Sequence, residues 1–109
     1  MNTTRKGTRW VKKVDDWLVR HGFQTRRTQW MEPGDDITAR LYSSQLELSV
    51  EGKDHAKITL AAFVDQAERN AGDHQVPLCV VKRRGKTEVD DAYIVMSGRA
   101  FADLLRRLR

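Results

Sequence analysis

Apolar positions along the chain fall into two periods, and the switches between them mark the elements. Trp10, Val14, Trp17 and Leu18 recur at i, i+4, i+7 and i+8, the spacing of one helical face. Gly22 stands where a C-terminal cap belongs, so a helix is expected over about Thr8–His21. Phe23–Trp30 reads as a strand, and Glu32-Pro33-Gly34-Asp35 reads as a turn. Two more strands are expected at Ile37–Tyr42 and Leu46–Lys53, joined at Ser43-Ser44-Gln45. The helical period returns over about Ile58–Ala71, with Leu60, Phe63, Val64 and Ala67 on one face and Gly72 beyond it. Val76–Lys82 and Ala92–Met96 read as strands around the charged loop Arg83–Asp91. Ser97 can cap a last helix in which Phe101, Leu104, Leu105 and Leu108 make an apolar stripe. The expected order is αβββαββα, an α/β chain with a mixed central sheet flanked by helices.

With 109 residues, 39% of them hydrophobic, the chain can build one modest core but not two, so a single domain over residues 1–109 is expected. No apolar run reaches the length of a spanning helix, and the first residues are basic and polar, unlike a secretory signal; no membrane partner is expected. Cys79 is the single cysteine and lies inside the apolar run Val76–Val81. It excludes a disulfide framework and points to a small buried hydrophobe in a cytosolic protein. His21, His55 and His74 are scattered without ligand spacing, which argues against zinc.

Charge is unevenly placed. Residues 1–30 carry eight basic and two acidic side chains, a net of +6; residues 31–70 carry four and eight, −4; residues 71–109 carry eight and five, +3. A phosphate backbone would be drawn to the basic ends and a cation to the acidic middle. The overall excess of +5 makes nucleic acid the first partner to consider, although a basic surface kept for solubility accounts for it equally well. Arg83, Arg84 and Lys86 cluster around Gly85 and, with Lys82, Arg26, Arg27 and the helix entry Arg5, Lys6 and Arg9, are the candidate DNA-backbone contacts. Trp10, Trp17 and Trp30 read as core or interface residues rather than base-stacking ones.

The acidic middle holds the candidate chemistry. Strand alternation turns Leu46, Leu48 and Val50 one way and Glu47, Ser49, Glu51 and Lys53 the other, so a carboxylate and an ammonium stand side by side. Asp36, at the start of the preceding strand, can bring a second carboxylate beside them. Two oxygen donors completed by water suit a hard ion such as Mg²⁺, and a neighbouring lysine can stabilise a phosphorane or orient the attacking water. The competing reading of the same residues is a solvent-facing Glu51–Lys53 ion pair on a half-exposed strand.

The element order and these residues together resemble the PD-(D/E)XK nucleases, the restriction-endonuclease-like fold, and within them the small archaeal and phage Holliday-junction resolvases. Arg5-Lys6-Gly7 and His21-Gly22-Phe23 frame the first helix as in that family. Gly34-Asp35-Asp36-Ile37 is similar to its acidic turn, Glu51-Gly52-Lys53 to its E-x-K motif, and Pro77–Gly85 to the later strand and basic turn of phage members. The resemblance implies a Mg²⁺- or Mn²⁺-dependent endonuclease that acts on four-way or other branched DNA and leaves 5′-phosphate and 3′-hydroxyl ends. It implies Asp36, Glu51 and the Gly52 carbonyl as metal ligands and Lys53 as the group that positions water. Gln66, where the family presents a polar residue, would orient the lysine or a phosphate; a plain exposed glutamine fits the sequence as well. A two-fold homodimer in a prokaryotic or phage setting is implied too. Two positions depart from the pattern. Val11 stands where the family has a helix glutamate, with Asp15 one turn further on, and Gly52 replaces an apolar residue in E-x-K. These departures keep two alternatives in view: a DNA- or junction-binding protein without chemistry, and a nuclease of the same fold in restriction or repair.

Overall fold

A computed structural model describes residues 2–28 and 34–108, with side chains from Gly7 onward. It contains α1 (Asn2–Arg20), β1 (Phe23–Arg27), β2 (Ile37–Leu41), β3 (Glu47–Lys53), α2 (Leu60–Asn70), β4 (Val76–Val81), a single 3-10 turn at Val89–Asp91, β5 (Tyr93–Val95) and α3 (Gly98–Arg107). The order αβββαββα is therefore observed, as an α/β arrangement of one five-stranded mixed sheet and three helices. Among the described residues no helix is long and apolar enough to cross a membrane. Trp30, Glu32 and Pro33 lie outside the described residues.

The strands lie side by side in chain order, β1-β2-β3-β4-β5. The first three form an antiparallel meander, α2 carries the chain over to β4 parallel to β3, and β5 returns antiparallel. This connectivity has a consequence for function. β1, β3 and β4 all finish at the end of the sheet where β2 begins, so Arg27, Asp36, Lys53 and Lys82 gather along one edge.

Strand alternation sorts side chains between two layers. Leu48, Val50, Leu78 and Val80 face α1 and α3, where they join Trp10, Val14, Leu18, Ile37, Ala39, Val76, Val89 and Ala100 in the main core. Cys79 and Val81 face α2 and pack on Phe63 and Ala67. Covered on both sides, β4 reads as an unbroken apolar run, as an inner strand of a parallel pair should. Trp10 is 2% exposed, and its indole N–H donates to the Val80 carbonyl at 2.9 Å. Trp17 sits at the layer's margin and donates to Asp90 Oδ1 at 2.7 Å. Gly22 follows α1 at φ 92°, the left-handed geometry of a C-terminal cap.

Two expected helical faces are corrected. Leu60 is exposed rather than packed, because α2 begins there and turns Phe63 and Ala67 to the sheet. Ser97 caps α3 through the Ala100 N–H, but the Phe101–Leu108 stripe is split. Ala100 and Leu104 meet the core, while Phe101, Leu105 and Leu108 stay exposed. α3 packs on β4 through Ala100 and Leu104, so only a narrow line of the helix is covered.

Candidate functional site

Asp36 and Glu51 meet at the open end of the sheet. The Asp36 backbone extends the β2 ladder by one residue in both directions: its N–H donates to Val50 O at 3.1 Å, and its carbonyl accepts from Thr28 N at 3.0 Å. Held there, the Asp36 carboxylate accepts the Gly52 N–H through Oδ2 at 2.8 Å. In an extended strand the N–H and C=O of one residue leave on the same side, so the Gly52 carbonyl faces the Asp36 side as well.

Glu51 is only 2% exposed, which overturns the solvent-facing ion-pair reading. Its Oε1 accepts from Asn70 Nδ2 at 2.6 Å. Burial, followed by the charge of Asp36 and a hydrogen bond with it, pushes the Glu51 carboxyl up from 4.5 to about 7, against the opposing pull of Asn70 and Lys53. The row behind Glu51 continues to Cys79, whose thiol burial pushes up to about 11 while its Sγ–H meets the Phe63 carbonyl at 3.2 Å. That environment makes Cys79 an inert filler.

Lys53 turns to α2 rather than to Glu51. Its ammonium donates to Gln66 Oε1 and lies 5.4 Å from the centroid of the Phe63 ring. Phe63, Gln66, Ala67 and Asn70 sit at i, i+3, i+4 and i+7, so one line of α2 supplies packing to the sheet and two amides to the site. Gln66 was singled out by the sequence and Asn70 was not, although its spacing from Gln66 was the available signal.

Asp35 is a second acid that sequence reasoning passed over. It is 7% exposed, and its carboxylate accepts from Ser49 Oγ at 2.8 Å, Thr38 Oγ1 at 3.2 Å and Thr28 Oγ1 at 3.2 Å. These hydroxyls come from β3, β2 and the residue after β1, so Asp35 ties three segments together immediately beside Asp36. With its lone pairs so occupied, Asp35 fastens these segments rather than offering a free carboxylate.

The two departures from E-x-K nucleases prove to be one contact. A Cβ on Gly52 would stand 3.0 Å from Val11 Cγ2 and 3.3 Å from Trp10 Cδ1, so α1 crosses β3 where only glycine fits closely. Val11 thus lies on the sheet face opposite Glu51 and Lys53. Asp15 is not a replacement acid either: its Oδ2 pairs with Arg27 Nε at 3.3 Å, and its Oδ1 is buried without a partner.

The candidate phosphate contacts divide. Lys82 continues from β4 beside Lys53, its N–H donating to the Lys53 carbonyl at 2.9 Å. Arg83, Arg84 and Lys86 follow in a turn closed by Lys86 N–H to Arg83 O at 3.1 Å, with Gly85 at φ 80°. Arg9 and Arg26 are exposed, Arg27 is engaged with Asp15, and the side chains of Arg5 and Lys6 lie outside the described residues. The basic loop and the carboxylates therefore share one end of the sheet.

The donor set fits a hard cation. Asp36 and Glu51 are paired carboxylates, and a cation between them would relieve the repulsion that raises Glu51. They form a pair only: among the described residues no group of three or more His, Cys, Asp or Glu converges. No family model matches the chain, and no curated protein or solved structure shows significant similarity to it.

Proposed function

We propose that this chain is a metal-dependent DNA endonuclease with a PD-(D/E)XK core, acting on branched DNA in the manner of the Holliday-junction resolvases. The observation that carries the reading is the juxtaposition of Asp36, a buried Glu51 and a Gln66-held Lys53 at the sheet end from which the Lys82–Lys86 loop projects. The meander of three antiparallel strands followed by a helical crossover to a parallel fourth strand supports it.

Asp36 and Glu51 would hold Mg²⁺ or Mn²⁺ through their oxygens, with the Gly52 carbonyl as a third donor. When bound, the ion would supply Lewis-acid polarisation of the phosphate. Asn70 and the Gly52 amide fix the rotamers of the two carboxylates. Gln66 holds the Lys53 ammonium forward, where it offsets charge gathering on the phosphate under attack and orients the incoming water. The loop cations and Arg9 take flanking phosphates. A two-fold homodimer belongs to the same proposal, because paired incision of two strands needs two sites.

A second reading has an observation of its own. Neither Val11 nor Asp15 brings a third carboxylate to the pair, as a DNA-binding protein that kept the fold without chemistry would show. Labelled four-way junction, matched duplex and single strand, each with Mg²⁺, Mn²⁺ or EDTA, separate the two. Metal-dependent nicks are expected on the junction, and Lys53→Ala should cut the rate by about 10²–10³-fold, the scale of one missing electrostatic donor, with junction binding retained. No nicking of any branched substrate in either metal would decide for the non-catalytic reading.

A further inference from the structure

We infer that Tyr93, backed by Arg83, is a stacking platform for an unpaired base, so that the site selects DNA with exposed bases over continuous duplex. This rests on the nuclease reading and specifies its substrate. Tyr93 lies in the same cross-strand row as Lys53, through the register Lys53↔Val81↔Tyr93. Residues in one row share a face, and Val81 packs on α2, so Tyr93 stands on the same face of the sheet as Lys53. Two strand spacings separate them, roughly 10 Å at about 4.8 Å each. A nucleotide beside a phosphate held at Lys53 reaches that distance.

The ring is built for contact rather than for packing. Tyr93 is 47% exposed, and the Arg83 guanidinium lies 5.2 Å from its ring centroid. Arg83 is delivered there by the turn that Lys86 N–H and Gly85 close, in the loop that also carries Arg84 and Lys86. A phosphate needs only the cations. An aromatic face pre-ordered by a cation in the midst of them answers the other half of a nucleotide, since base–aromatic stacking tolerates any base and gains from a neighbouring arginine. In continuous duplex every base face is already stacked, so only a branch point, gap or end can use the platform.

The test is binding without cleavage, with the full chain in EDTA. The probes are a four-way junction and a gapped duplex, each carrying 2-aminopurine at the branch or gap, and a continuous duplex of the same sequence. The wild type is expected to quench 2-aminopurine in the first two. Tyr93→Leu should weaken their binding about tenfold, within the ~5–150-fold that one stack is worth, leave duplex affinity unchanged and abolish the quench; Tyr93→Phe should retain both. Equal losses on branched and continuous DNA, no loss at all, or a wild type that binds branched DNA without quenching would each overturn the platform while sparing the nuclease reading. An absent wild-type quench overturns the platform even if Tyr93→Leu does not fold. No binding to any of the three probes at low salt would overturn both readings.

Discussion

Glu51→Gln isolates the electrostatic cost that the site places on the fold. The substitution removes a charge that is 2% exposed and keeps an acceptor oxygen for Asn70. The carboxyl is raised from 4.5 to about 7 by burial first and by Asp36 second, so the folded protein holds its proton more tightly than the unfolded chain does. The sign follows from that. Glu51's contribution to stability is fully present below pH 4.5 and is lost as pH rises through about 7. The interval corresponds to about 3 kcal/mol at ~1.4 kcal/mol per pH unit. Metal-free wild type and Glu51→Gln should therefore unfold alike near pH 4.5, and at pH 8 the variant should be the more stable by about 3 kcal/mol, on the order of 10 °C in Tm for a chain of this length. Urea titrations in EDTA at several pH values measure the gap, and the difference between the two proteins cancels the titrating groups that do not interact with Glu51, leaving Glu51 together with its neighbour Asp36. A gap that stays constant from pH 5 to pH 8 would refute the argument. Adding Mg²⁺ at pH 8 should stabilise the wild type and leave Glu51→Gln nearly unmoved, because only the former keeps both carboxylates.

Replacing Arg83, Arg84 and Lys86 together by alanine should flatten the slope of log affinity against log salt by roughly 2–3, at about 0.9 for each phosphate no longer neutralised; an unchanged slope clears the loop of phosphate binding. Gly52→Ala should destabilise by about 1–2 kcal/mol through overpacking against Val11 and Trp10, measured by denaturant unfolding. Adding Val11→Ala should recover part of that stability, since the two changes share one contact, and strict additivity of the pair would contradict the close approach of α1 and β3.

The order of elements was written in the sequence because each period is local. Trp10, Val14 and Leu18 mark α1 by spacing alone, Ser97 announces α3, and the alternation from Leu46 to Lys53 placed Glu51 and Lys53 on one face before any sheet was known. Glu51 and Lys53 were legible as candidates for the same reason, Asp36 by its place at the start of the neighbouring strand, and Gln66 only through the family resemblance. What they touch was not, because it depends on which strands become neighbours. Burial of Glu51 requires α2 to lie over β3, and the hold of Asn70 on it requires that helix at one particular rotation. Asp35 became a fastening rather than a ligand only when β1, β2 and β3 brought three hydroxyls to it. Gly52 looked like a weak link in a strand until α1 was laid across it with Val11 at 3.0 Å. Tyr93 carried no signal at all, since its place in the Lys53 row exists only through two strand pairings. Local periodicity fixes which residues can face together, whereas the tertiary fold, driven by burying both faces of β4, decides which of them actually meet.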